Sequence, residues 1–168
     1  HVELLQDGVI QIEQATFVSL FFSANVMEEA GLPIKEFFIW GDDIEYTRRL
    51  SVRLGLPCYL VGKSRVAHWM ENNTGSSIAT DVPQRIPRYC YAFRNESYTY
   101  RQEGFRGIVY YLAKCGLNFM RILTQAENYR MRRWAVLLKG MGIGLFFSPK
   151  VEYVTRPDRK PCQEAEGD

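Results

Sequence analysis

Residues 37–50 read FFIWGDDIEYTRRL, and this stretch narrows the choice of fold more than any other. Four large apolar residues in a row want burial. Gly41 ends the run, and two aspartates then open an amphipathic segment. Apolar run, glycine, then an acid-led 3.6-residue pattern is how a strand–turn–helix junction is written. The pattern predicts a short buried strand over EFFIW and a tight turn at Gly41. It then predicts a helix DIEYTRRLSVRL capped by Asp42. Gly55 and Pro57 end that helix. Tyr46, Leu50 and Leu54 follow at i, i+4 and i+8, so they share one face, with Arg48, Arg49 and Arg53 elsewhere on the surface.

The flanking residues extend the α/β reading. Residues 9–22 predict extended structure, partly alternating and rich in β-formers at FVSLFF. Ser23 is placed to cap a short helix ANVMEEA, which Gly31 ends. PCYLVG and RVAHW predict two further short strands, and the polar, proline-bearing stretch after them a loop. From Arg88 the character changes to helix: RYCYAFRNESYTYRQEG, then FRGIVYYLAKCGLNFMRILTQA after a break at Gly104, then ENYRMRRWAVLLKGMG. The expected organisation is an α/β part over residues 1–83, a helical appendage over 84–150, and a polar, disordered tail over 151–168.

A chain of 168 residues with 46% hydrophobic content can bury a core as one domain. Its net charge of +2 gives no ground for a nucleic-acid partner. Cys58, Cys90, Cys115 and Cys162 form no C-x-x-C pair, which points to reduced thiols in a cytosolic setting. The apolar runs fall short of the ~20 residues that span a bilayer. His1 in place of methionine reads as a piece of a longer protein or a trimmed tag. The sequons at Asn72 and Asn95 carry little weight without a secretory context, and KGMGIG lacks the Lys-Ser/Thr of a phosphate loop.

Two explanations compete for GDDIE. Acids in a first turn offset the helix dipole, and Asp at the N-cap accepts a backbone N–H. Alternatively, a carboxylate at the C-terminal end of a strand in an α/β sheet stands where ligands bind. There it can act as a general base. Sharing a face with Tyr46 and Leu50, Asp43 is aimed at the body of the domain. Asp42 and Glu45 are placed to support other groups. His68, followed by Trp69, is either a structural histidine or part of a divalent-metal site with carboxylates from another segment. Imidazole mixed with carboxylate suits Mn²⁺ better than Mg²⁺.

Taken in order, FVSLFFSANVMEEAGLPIKEFFIWGDDIEYTRRLSVRLGLPCYLVGKSRVAHW resembles the C-terminal half of a family 2 glycosyltransferase of the GT-A fold. YCYAFRN at 89–95 resembles the segment that follows this domain in rhamnosyl- and galactofuranosyltransferase-like members. The resemblance spans roughly residues 10–145 and rests on the order of motifs. It implies a partial GT-A-type mixed sheet with flanking helices, and inverting transfer from a nucleotide-sugar to a glycan hydroxyl. It further implies a divalent cofactor, Mn²⁺ or Mg²⁺, and a role in bacterial cell-surface polysaccharide. On matching positions, Asp43 corresponds to the catalytic base and Asp42 to the first acid of the pair. Trp40 is the residue set to stack on a sugar, Glu45 an acceptor-holding acid, and His68 a metal ligand, with Trp69 beside it on the acceptor side. The family's Asp-x-Asp motif and nucleotide-binding βαβ units are not in this sequence, which implies a fragment inactive by itself.

The helical part admits packing against the catalytic domain or a second copy. It also admits contact with a membrane surface, at the cytoplasmic face of the cell membrane. For the latter, Trp134, Leu137, Leu138, Met141, Leu145, Phe146 and Phe147 stand beside Arg130, Arg132, Arg133 and Lys139. A contrasting reading makes the whole chain a non-catalytic helical interaction or oligomerisation module, in which the acid pair is only a cap.

Overall fold

The computed structural model describes residues 8–69 and 75–154. It is mixed α/β, with helix dominating. Strand β1 (Val9–Ile12) pairs antiparallel with β2 (Cys58–Val61), Val9 opposite Val61 and Ile12 opposite Cys58. Helix α1 spans Ala24–Ala30 and α2 spans Asp42–Arg48, the latter continuing as a π-helical turn over Arg49–Arg53. The helical part consists of α3 (Tyr89–Arg101), α4 (Gly104–Gln125) and α5 (Arg130–Phe146).

The helices match the sequence pattern closely, and the strands do not. Three stretches expected as strands are not strands. FVSLFF and RVAHW run as mostly exposed coil. Strand backbone needs a hydrogen-bonding neighbour, and among the described residues these two segments have none. EFFIW forms a 3-10 turn over Lys35–Phe37 and then reverses direction. Its aromatic residues go different ways. Phe37 is buried against Tyr98 and Phe147, while Phe38 is 80% exposed. Tyr46 and Leu50 are buried as their spacing demands, whereas Leu54 is exposed. The π-helical turn between them adds residues per turn and rotates Leu54 off the face.

The largest core lies in the helical part, where Phe93, Tyr111, Cys115, Ile122 and Leu137 pack together. Ile78 and Ala79 belong to the same cluster, so the segment before residue 83 packs with the helices. Arg133 holds it there. This residue, expected on the surface of α5, is buried and donates to the carbonyls of Ile78 (2.6 Å) and Asp81 (3.0 Å). The polar tail starts later than expected. Leu32 N–H donates to Glu152 O at 2.8 Å, Lys35 pairs with Glu152, and Val151 packs beside Phe37. The remainder of the expected tail, 155–168, lies outside the described residues, as does Cys162. Cys58, Cys90 and Cys115 are free thiols.

α3 and α5 touch backbone to backbone because α5 places glycines at the crossing. A Cβ on Gly140 would come within 2.8 Å of Cys90 O and of Phe93 Cβ, and one on Gly144 within 2.6 Å of Ser97 Cβ. Gly142 faces open space. The two positions should respond to alanine with opposite signs. Gly140→Ala should lose ~1–3 kcal/mol through overpacking. Gly142→Ala should gain ~0.5–1 kcal/mol from helix propensity alone. Urea denaturation of both variants measures the difference.

Candidate functional site

The candidate site is the turn that joins Phe37 to α2. Ile39 N–H donates back to Phe37 O at 2.6 Å, with Phe38 between them at φ 60° and ψ −55°. That is the geometry of a γ-turn with positive φ, a rare and strained form. Trp40 follows at φ 62° and Gly41 at φ 86°. Only the glycine adopts such a conformation without strain; for the bulky Phe38 and Trp40 each costs ~1–3 kcal/mol. Something must hold this turn.

Asn95 does so. It is fully buried on α3, and its carboxamide nitrogen donates to three carbonyls of the turn: Phe37 (3.0 Å), Ile39 (3.2 Å) and Trp40 (2.8 Å). Two N–H groups serve three acceptors, so one is shared. The amide's orientation is fixed from the other side, where Arg94 donates to Asn95 Oδ1 from Nε (2.9 Å) and from Nη2 (2.8 Å). Arg94 Nη2 also donates to Glu36 O at 2.6 Å, and its guanidinium lies 4.0 Å from the Phe147 ring centroid. The Arg-Asn pair of YCYAFRN is thus the clamp on the acidic motif. Full burial also closes the Asn95 sequon to glycosylation.

Trp40 is half-buried, its ring 4.8 Å from that of Tyr89 and 5.8 Å from the Arg85 guanidinium. Tyr89 in turn donates its hydroxyl to Asp81 at 2.8 Å. Asp42 and Asp43 begin α2. The expected cap is corrected here: the N-cap is Gly41, in left-handed conformation and with no side-chain cap bond, and Asp42 is the first helical residue. Asp43 is half-buried. Its carboxylate accepts from the adjacent Ile44 N–H at 2.8 Å. Burial raises its pKa above the ordinary aspartate value. The Ile44 amide opposes that rise, the Asp42 charge adds to it, and the Phe17 amide opposes it again.

Glu45 has a different environment from the one expected of an acceptor-holding acid. It is 1% exposed, and both carboxylate oxygens are taken by arginines. Arg49 binds them from Nε (3.1 Å) and Nη2, and Arg53 Nη1 approaches to 3.2 Å. Arg49 Nη1 continues to the carbonyls of Ala30 (2.8 Å) and Leu32 (3.1 Å). This buried pair fastens the end of α1 to α2 and leaves no oxygen free for a substrate.

Trp40, Asp42 and Asp43 therefore stand together on one turn, with Glu45 beneath them. His68 and Trp69 do not join them. Both lie in exposed coil beyond β2, Trp69 at 91% exposure. No group of three His, Cys, Asp or Glu side chains converges as a metal site among the described residues. His68 and the acid pair thus do not converge on one site. Family models, curated proteins and solved structures give no match to this chain.

Two consequences are measurable. Asn95→Leu leaves buried carbonyls without a donor and should cost ~1–3 kcal/mol. The near-UV circular dichroism of Trp40 should change with it as the turn relaxes. The second concerns pH. The folded pKa of Asp43 lies above its unfolded value, so the fold binds this proton more tightly. That contribution to stability is present at acid pH and is lost as pH rises through the folded pKa. Asp43→Asn should therefore be at least as stable as the parent at neutral pH and lack that decline. Carboxyl carbon NMR titration gives the midpoint, which Asp42→Asn should lower.

Proposed function

We propose that this chain is the acceptor-side, base-bearing part of an inverting glycosyltransferase of GT-A type. In this reading it serves glycan assembly from a nucleotide-sugar. The observation that carries the proposal is a half-buried carboxylate whose pKa burial raises, three residues after Trp40 at the start of α2, which a strained turn locked by a buried amide leads into. Strain of this kind collects where geometry matters for chemistry.

Asp43 is the general base. One of its oxygens takes the proton from the acceptor hydroxyl as the hydroxyl oxygen attacks the anomeric carbon. The bond from that carbon to the nucleoside diphosphate breaks with its electron pair, and the configuration inverts. The upward shift that burial gives its pKa makes the Asp43 carboxylate a better proton acceptor than an exposed aspartate. Asp42 adds to that basicity by its charge. Trp40, with one side against Tyr89, offers the rest of its ring to a sugar face. Glu45, Arg94 and Asn95 position the turn and touch no substrate. The residues that would bind the donor are not among those placed here.

The test is Asp43→Asn in the polypeptide that joins this segment to its donor-binding portion. Transfer should fall about 10²- to 10⁴-fold while nucleotide-sugar binding, followed by calorimetry, persists. Near-normal turnover would sink the assignment and leave a helical assembly module as the better account. Asn95→Leu should lower turnover as well by loosening the turn, and it should do so without shifting the pH midpoint of Asp43 toward the free-aspartate value unless the carboxylate becomes exposed.

A further inference from the structure

We propose that the outer face of the α4–α5 hairpin lies flat on an anionic lipid surface. The two helices turn their inner sides to α3. Buried Tyr111 of α4 donates to Phe93 O at 3.0 Å, and Gly140 and Gly144 of α5 pack on Cys90 and Ser97. At the seam between the helices, Phe119 stacks on Trp134 with ring centroids 4.8 Å apart and planes 14° apart.

That seam places the outer stripes side by side. On α4, Leu112 and Leu123 stand seven residues before and four after Phe119, and Phe105 and Met120 continue the same face. On α5, Met131, Leu138 and Leu145 repeat every seven residues and flank Trp134. Apart from the partly buried Trp134, all of these side chains are exposed, Phe105 at 80% and Met131 at 74%. The result is a broad apolar face, with α4 alone about 33 Å long. A contiguous patch of this kind marks an interaction surface.

Charge identifies the partner. Phe105, Met120, Met131 and Leu138 are each followed directly by a basic residue: Arg106, Arg121, Arg132 and Lys139. One residue further is a turn of about 100°, which moves Arg106, Arg132 and Lys139 from the apolar stripe to its rim, while Arg121 lies further round α4, toward Lys114 and Asn118. Because α4 and α5 run in opposite directions, Arg106 stands on one long edge and Arg132 and Lys139 on the other. All four are exposed. Neither helix contains an Asp or Glu, and the one acid between them, Glu127, sits in the link.

An apolar face with a cationic rim matches acyl chains under negative headgroups. It does not match a second copy of itself, since a two-fold pairing of this face would set arginine and lysine rims against one another. No helix among the described residues is long and apolar enough to cross a membrane, so the face lies on the surface instead of spanning it. The interfacial set expected from sequence is thereby revised. Leu137 and Arg133 are buried, Trp134, Met141 and Phe147 are partly buried, and α4 supplies half of the face.

The test is co-sedimentation of the 168-residue chain with vesicles of phosphatidylglycerol and phosphatidylcholine in equal parts, against pure phosphatidylcholine. Binding to the anionic vesicles should be about tenfold tighter or more and should weaken with salt. Leu112→Glu/Leu138→Glu should abolish it, as should Arg132→Gln/Lys139→Gln, with helical circular dichroism unchanged because all four positions are exposed. Should the first pair disturb the fold, the second carries the test alone. Equal binding to both vesicle types, no binding, or unchanged binding by the variants overturns the proposal. So does self-association in sedimentation velocity that Leu112→Glu/Leu138→Glu removes while vesicles stay unbound, which would make the face a contact between copies.

Discussion

The carboxamide of Asn95 is the interaction on which the candidate site depends. Three of the four residues from Phe38 to Gly41 have positive φ, and two of them, Phe38 and Trp40, are bulky. Isolated, that backbone would relax. It persists because a buried amide, held on its oxygen side by Arg94, donates to Phe37, Ile39 and Trp40 at once. A hydrogen bond of this kind adds little net stability when made and costs much when broken. Its effect is to define one geometry. The clamp comes from α3, so the helical part is the frame of the acidic motif and not an appendage to it.

Buried arginines do for the rest of the chain what Asn95 does for the turn. Arg133 ties residues 78–81 to α5, and Arg49 ties Ala30 and Leu32 to α2. Arg101, at the end of α3, donates to Leu145 O and Phe147 O and so closes the C-terminus of α5. Arg48 forks onto Glu103 at 2.5 and 2.8 Å. Each guanidinium satisfies carbonyls at helix ends and in connecting segments, or a carboxylate. Planar, multiply donating and always charged, arginine suits this work where lysine would not. Removing one partner of such a buried pair costs far more than the pair's net contribution.

What could be read beforehand follows the range of the interactions. The boundaries of α1 and α3, the break at Gly104 and the burial of Tyr46 and Leu50 rest on local periodicity and glycine, which the sequence displays directly. EFFIW was misleading because an apolar run is equally a strand or a set of separately buried aromatics. Here the partners, Tyr98 and Phe147, lie far along the chain. The sequence around Asn95 carries no sign of its structural role beyond a polar residue amid helix-forming aromatics. Only its burial reveals the role. The charge of Arg133 predicts a surface position, but the carbonyls of Ile78 and Asp81 satisfy its guanidinium and allow burial. His68 illustrates the limit of order alone. A residue can follow a motif in the right sequence and still stand in exposed coil.

The paired acids look different once the turn is known. Capping was the simpler explanation, and it required Asp42 at the N-cap. That position belongs to Gly41, and neither aspartate bridges the first turn as a cap would. The helix dipole still favours negative charge there, but it would be served by one exposed acid. Instead the second acid is half-buried, where desolvation and its neighbour both oppose ionisation. Glu45 cannot relieve this, being saturated by Arg49 and Arg53. A half-buried carboxylate at the start of α2 thus follows closely on a backbone held in an unfavourable conformation at Phe38 and Trp40. Both costs fall within the six residues from Phe38 to Asp43, around the half-covered Trp40, and that coincidence is the support for the general base proposed above.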